Sequence, residues 1–125
     1  MPLAVLPLGL ELVESGALTP LQTIPSTPSD FTGYSTGAEI QVDRAGRTLY
    51  VSNRGHDSIG VFAIDPVRGT LAPRQWVPTH GRTPRFFALD PEQRFLYVAN
   101  QDSASIVAWR VAAGGRLAPS RVRVK

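Results

Sequence analysis

The 125-residue sequence has no cysteine, a single methionine, a single lysine (Lys125) and two histidines, His56 and His80. Without cysteine there is no disulfide framework and no thiolate metal site. Two histidines are too few for a histidine-rich metal cluster, and neither a metal nor a cofactor is implied. Long apolar runs are also missing. Met1 to Val13 is the nearest to one, but Pro7 and Glu11 interrupt it, and it falls short of the roughly 20 residues that a spanning helix needs. The same run lacks the positive start and small-residue cleavage site of an export signal. It is expected to form a strand at the open edge of a sheet, in a protein of the cytoplasm that does not engage a membrane.

What charge there is comes from twelve arginines, the one lysine and ten acids, a net charge of +3. An arginine fork suits carboxylate and phosphate ligands, yet most of the twelve are read as a compositional bias, since few can line one site. Nucleic-acid binding would need clustered charge interleaved with aromatic residues. Here the charges are scattered through turns, and no nucleic-acid partner is expected. At 42% hydrophobic residues the chain reads as globular.

The most informative feature is an internal repeat. The stretch Arg47-Thr48-Leu49-Tyr50-Val51-Ser52-Asn53 returns 47 residues later as Arg94-Phe95-Leu96-Tyr97-Val98-Ala99-Asn100, and eight of the 22 positions from Asp43 to Ile64 are identical at that offset. Chance would give about one or two. Gly16-x-Leu18, Gly69-x-Leu71 and Gly115-x-Leu117, each followed two residues later by proline, mark the same element three times. Proline there points to an edge strand, where a missing N–H is tolerated. A repeat of roughly 40 to 50 residues made of short, alternating β-type runs is the signature of a propeller blade.

The expected fold is therefore all-β: four-stranded antiparallel blades of a β-propeller, about two and a half of them. Residues 1–24 would end one blade and 25–37, rich in Pro, Ser, Thr and Gly, form a long loop. Residues 38–78 form the next blade, 79–84 a loop and 85–125 the last blade. Strands are expected over 38–42, 48–53, 58–65 and 71–77, and again over 85–89, 95–100, 105–111 and 117–124. In such blades the start of the inner strand and the end of the second strand lie at the same end of the sheet. That end gathers Ala38-Glu39, Pro84-Arg85, Arg54-Gly55-His56-Asp57 and Gln101-Asp102, where charge is costly unless it meets water or a ligand.

Ala38-Glu39-Ile40, the run from Gly46 to Ile59, Thr83-Pro84-Arg85 through Pro91, and Leu96-Tyr97-Val98-Ala99-Asn100-Gln101-Asp102-Ser103 closely resemble the C-terminal part of the seven-bladed propeller lactonase family. That family includes propeller-type 6-phosphogluconolactonases and fungal carboxymuconate lactonizing enzymes. The resemblance covers nearly the whole chain and implies metal-free chemistry on a small lactone, a sugar acid or a carboxylated ring. Carried over by motif, it implies Arg54 as an arginine of the catalytic constellation, with Arg85 and Glu39 lining the pocket. On their placement and chemistry Arg54 and Glu39 are the expected catalytic residues, and Arg85 and the neighbouring His56 the expected substrate-binding ones. The family's histidine, an earlier Pro-Arg arginine and an Asn-Glu glutamate would precede this chain, so the chain alone is expected to be inactive.

Each candidate also has a structural explanation. Arg54 could cap a loop carbonyl or pair with Asp57, Arg85 could bridge blades, Glu39 could serve an arginine, and His56 could be a loop residue. His80 is expected in solvent. Ser58, His56 and Asp57 hold the letters of a triad but neither its geometry nor a Gly-x-Ser-x-Gly elbow. The alternative to a hydrolase is a noncatalytic Tyr-Val-x-Asn repeat propeller used as a binding scaffold. An open ring exposes apolar faces and sheet edges. The chain is therefore expected to be a fragment, a truncated product, or a piece that assembles with copies of itself or a complementary fragment. Arg121, Arg123 and Lys125, alternating with valines, would guard the last edge.

Overall fold

The period-two alternation of the sequence is realised as three antiparallel sheets. The structure, a computed structural model, describes residues 3–6, 9–13 and 20–124. The first Gly-x-Leu landmark, residues 16–19, and Lys125 lie outside them. The first sheet holds β1 (Leu3–Leu6), β2 (Gly9–Val13) and β3 (Pro20–Ile24) in that order. The second runs β4 (Thr36–Val42), β5 (Thr48–Arg54), β6 (Ser58–Ile64), β7 (Leu71–Pro78). The third repeats it with β8 (Pro84–Leu89), β9 (Phe95–Asn100), β10 (Ser105–Val111) and β11 (Leu117–Val124).

These are consecutive propeller blades. The one strand expected over Met1–Val13 is instead two, paired as a hairpin from Leu3↔Leu12 to Leu6↔Gly9. Pro7 falls between them in the sequence, and proline cannot donate to a continuing ladder. The three landmark prolines, Pro20, Pro73 and Pro119, all fall on edge strands β3, β7 and β11.

β5 shows why the sheets stack. Every residue from Thr48 to Asn53 is buried, because alternate side chains enter different cores. Leu49 and Val51 join Phe62, Ile64 and Leu71, with Ile24 of the first sheet against them. Tyr50 joins Ile59, Val61 and Val77 and meets Phe87, Leu96, Val98 and Trp109 of the third sheet. Each such side chain contributes about 1.5–3 kcal/mol by leaving water.

Side-chain amides stitch neighbouring sheets together. Gln22 of β3 donates to the Leu71 carbonyl at 3.1 Å and accepts the Leu71 N–H at 2.7 Å. One blade on, Gln75 does the same with Leu117, at 2.9 Å for both bonds. Gln41 of β4 reaches the Phe87 carbonyl at 2.7 Å. The Tyr50 hydroxyl donates to the Gly115 carbonyl at 2.6 Å.

Burial pushes the Tyr50 phenol well above the usual tyrosine range, and the negative charge of Asp43 adds to the shift. An acid kept protonated by the fold stabilises the native state fully below its unfolded pKa, about 10 for tyrosine, and that contribution is lost as pH rises toward the native value. Tyr50→Phe is therefore expected to cost about 1–2 kcal/mol at neutral pH and to flatten the loss of stability above about pH 10. Urea unfolding at several pH values checks both, and an unchanged alkaline limb would assign that loss to another group.

Candidate functional site

The end of the sheets where β5 leaves and β4 begins is built around a bulge. Gly37 pairs with Asn53 and Ile40 with Val51, so Ala38 and Glu39 together oppose Ser52. The next blade repeats the irregularity, with Pro84 opposite Asn100, Phe86 opposite Ala99 and Arg85 extra. Bulges re-aim side chains and terminate pairing, and they recur beside active sites. Here they set Glu39 and Arg85 at equivalent ends of successive inner strands.

Arg54 closes β5 opposite Thr36. One guanidinium nitrogen donates to the Gly37 carbonyl at 3.2 Å, while Nε is buried with no hydrogen-bond partner. A buried guanidinium N–H without an acceptor is costly. Among the described residues the only ion pair is Arg94–Glu92, so Arg54 pairs with neither Asp57 nor Glu39. The Glu39 carboxylate instead turns back to accept its neighbour Ile40 N–H at 3.2 Å, and the Glu39 N–H donates to the Ser52 hydroxyl at 3.0 Å.

His56 is held from two sides. Its Nδ1 shares a hydrogen bond of 2.7 Å with the Ser58 hydroxyl, and its ring meets Phe31 edge-on at 4.7 Å. The loop carrying Phe31 also supplies Ser35, whose hydroxyl donates to the Arg54 carbonyl at 2.9 Å. Gly55 lets that loop approach: its φ is 111°, and a Cβ there would lie 2.2 Å from the Tyr34 carbonyl oxygen. Asp57 accepts the N–H groups of Gly55 and Thr83, so it does not complete a triad with His56 and Ser58. His80 is exposed but not free in water, since its ring stacks on Trp109 at 5.5 Å.

Arg85 is exposed and lines a cavity of about 570 Å³ with Phe86, Gln101 and Ile106 on the outer face of the third sheet. Arg54 does not line it. On the second sheet the equivalent face, that of Tyr50 and Ile59, is covered by a neighbouring blade. The cavity therefore reads as an uncovered blade face with Arg85 at its rim. A second cavity, of about 490 Å³, is lined by Asp43, Arg47 and Arg74 at the opposite end of the sheets. Among the described residues no group of three or more histidines and acids could hold a metal ion, and no helix is long and apolar enough to cross a membrane.

Residues 8–125 match the family described as Lactonase, 7-bladed beta-propeller. The chain belongs to that family. It is 41% identical over 113 residues to a 6-phosphogluconolactonase of Bacillus subtilis (strain 168), which covers 88% of this chain and 32% of that protein. A 6-phosphogluconolactonase of Formosa agariphila is 42% identical over 90 residues, 66% of this chain and 26% of that one. The structure of the Pseudomonas aeruginosa periplasmic gluconolactonase PpgL superposes with a TM-score of 0.87 at 30% identity, over 96% of this chain and 34% of that one. The chain thus spans about a third of the length of these propeller lactonases.

The sequence reading missed what the repeated asparagine of this lactonase repeat does. Asn53 donates from Nδ2 to the Ser26 carbonyl at 2.9 Å, a carbonyl that Trp76 Nε1 also reaches at 2.8 Å. Asn100 donates likewise to the Thr79 carbonyl at 2.9 Å. Each fixes the crossover that enters its own blade. The identity Asn53/Asn100 was the available signal. Asn53→Ala is expected to cost about 2–3 kcal/mol by stranding these buried groups, read as a lower urea midpoint at unchanged slope.

Proposed function

We propose that this chain contributes the oxyanion-binding part of a lactonase pocket that opens a sugar-acid lactone of the 6-phosphogluconolactone type. Water attacks the ring carbonyl, negative charge develops on its oxygen, and the ring C–O bond breaks to give a carboxylate and a hydroxyl. A guanidinium fixed beside that oxygen stabilises the transition state more than the ground state. Arg54 takes that role, and Arg85 neutralises the substrate's phosphate or carboxylate through its planar fork. Glu39 receives a proton from the attacking water, and His56 borders the substrate.

The observation that carries this reading is the gathering of Arg54, Glu39 and Arg85 at the same end of successive sheets, where the bulges of β4 and β8 release the inner strands from regular pairing. A plain repeat scaffold has no need of charged groups gathered at these strand ends. Membership of the lactonase family and the names of the relatives support the substrate class. A phosphorylated substrate would place the activity in the cytoplasm.

The isolated chain is expected to hydrolyse no lactone, and the chain joined to the preceding blades of a family relative is expected to be active. In that joined propeller Arg54→Ala should lower kcat by about 10²–10³-fold, while Arg85→Ala should act mainly through KM. Full turnover by Arg54→Ala would remove Arg54 from the mechanism.

Exposed Phe86, Tyr97 and Ile106 favour a second reading for the chain by itself, association through the outer face of the third sheet. Ile106 is 44% exposed, whereas Ile59, its counterpart one blade earlier, is 0% exposed beneath the neighbouring sheet. The chain is expected to run above its 13.5 kDa mass in light scattering, and Ile106→Glu to shift it toward monomer. A monomeric wild-type chain would refute the association.

A further inference from the structure

Asp57 has no part in the chemistry above, yet it lies between the two arginines assigned to it. It ends the turn after β5 with φ of 59°. Its Oδ1 accepts the Gly55 N–H at 3.2 Å within the turn and the Thr83 N–H at 3.0 Å in the segment entering the next blade. Its carbonyl accepts the Thr79 N–H at 3.0 Å. The Thr83 carbonyl in turn accepts the N–H groups of Arg85 and Gln101, both at 2.8 Å. One carboxylate oxygen and one residue, Thr83, therefore connect Gly55, beside Arg54, to the backbone of Arg85.

The internal repeat separates this link from the needs of the turn. The position 47 residues on is Ala104, which holds the same left-handed conformation with φ of 50°. Such a φ is uncommon for a residue with a Cβ, and aspartate tolerates it better than alanine. The turn nonetheless forms with alanine, so it does not require the carboxylate. What the carboxylate adds at Asp57 is the bond across to Thr83.

We propose that Asp57 is a positioning residue whose carboxylate sets the separation of Arg54 and Arg85 across the blade boundary, matching it to a substrate that carries two anionic or oxyanionic ends. The ligand part rests on the lactonase reading, whereas the bridge does not. Two point substitutions separate the hydrogen bonds from the charge, since the side-chain oxygen of asparagine accepts the same two N–H groups.

Amide hydrogen exchange on the 125-residue chain tests the bridge. Asp57→Ala should speed exchange at Thr83 and Arg85 by about tenfold or more, and Asp57→Asn should keep both slow. In the joined propeller, with 6-phosphogluconate as the probe, Asp57→Ala should weaken binding about tenfold and Asp57→Asn restore it to within about threefold. Unchanged exchange in Asp57→Ala would overturn the bridge. Altered exchange with unchanged probe affinity would overturn its role in spacing the arginines. If the wild-type propeller does not bind the probe, the lactonase reading falls, and the exchange rates alone decide the bridge.

Discussion

A sheet that is apolar on both faces must be covered on both, and the rest of this structure depends on meeting that condition. β5 places Leu49 and Val51 in one core and Tyr50 in the next, so the second sheet is stable only between two others. Burial is nondirectional and would tolerate several relative placements of the sheets. Direction comes from the polar groups at their margins. The amides of Gln22, Gln41 and Gln75 and the hydroxyl of Tyr50 each find a particular carbonyl on the adjoining blade.

The candidate site follows from the same stacking. Antiparallel strands return their ends to one side of the molecule, and the repeated bulge at Ala38 and Arg85 frees the first residues of each inner strand from regular pairing. Polar side chains at these ends can face a ligand without breaking the ladder behind them. The long crossover before β4 adds a local brace. Phe31 packs on the His56 ring and Ser35 holds the Arg54 carbonyl, so the loop richest in proline and serine supports the most constrained functional candidates.

The repeat made most of the architecture legible. Strand limits read from the alternation agree with the observed ones to within two residues for β4 through β11, because turn chemistry marks them. Asp43 accepts the N–H groups of Arg47 and Thr48, and Asp90 those of Arg94 and Phe95, which explains why that aspartate recurs. The split of the first apolar run was harder to read, since Leu, Val and Ala suit one strand as well as two. The placement of Glu39 and Arg85 at one end of the blades was legible from strand direction. The direction of each side chain was not, because a single extra residue in a strand reverses the face and leaves no mark in composition. The glutamine stitches were also invisible, since an isolated glutamine looks like any solvated residue until the neighbouring backbone is in place.

Those glutamines give the assembly an anisotropic stiffness. Gln22 and Gln75 each offer one donor and one acceptor to a single residue of the next outer strand, as a peptide group would, so sliding one blade along its neighbour breaks both bonds at once. Rotation about the line through these clasps stretches them little. Between the first and second sheets the outer rim can thus serve as a hinge, resistant to slip and compliant to opening, whereas Gln41 adds a clasp between the inner strands β4 and β8 that holds the second and third sheets against spreading.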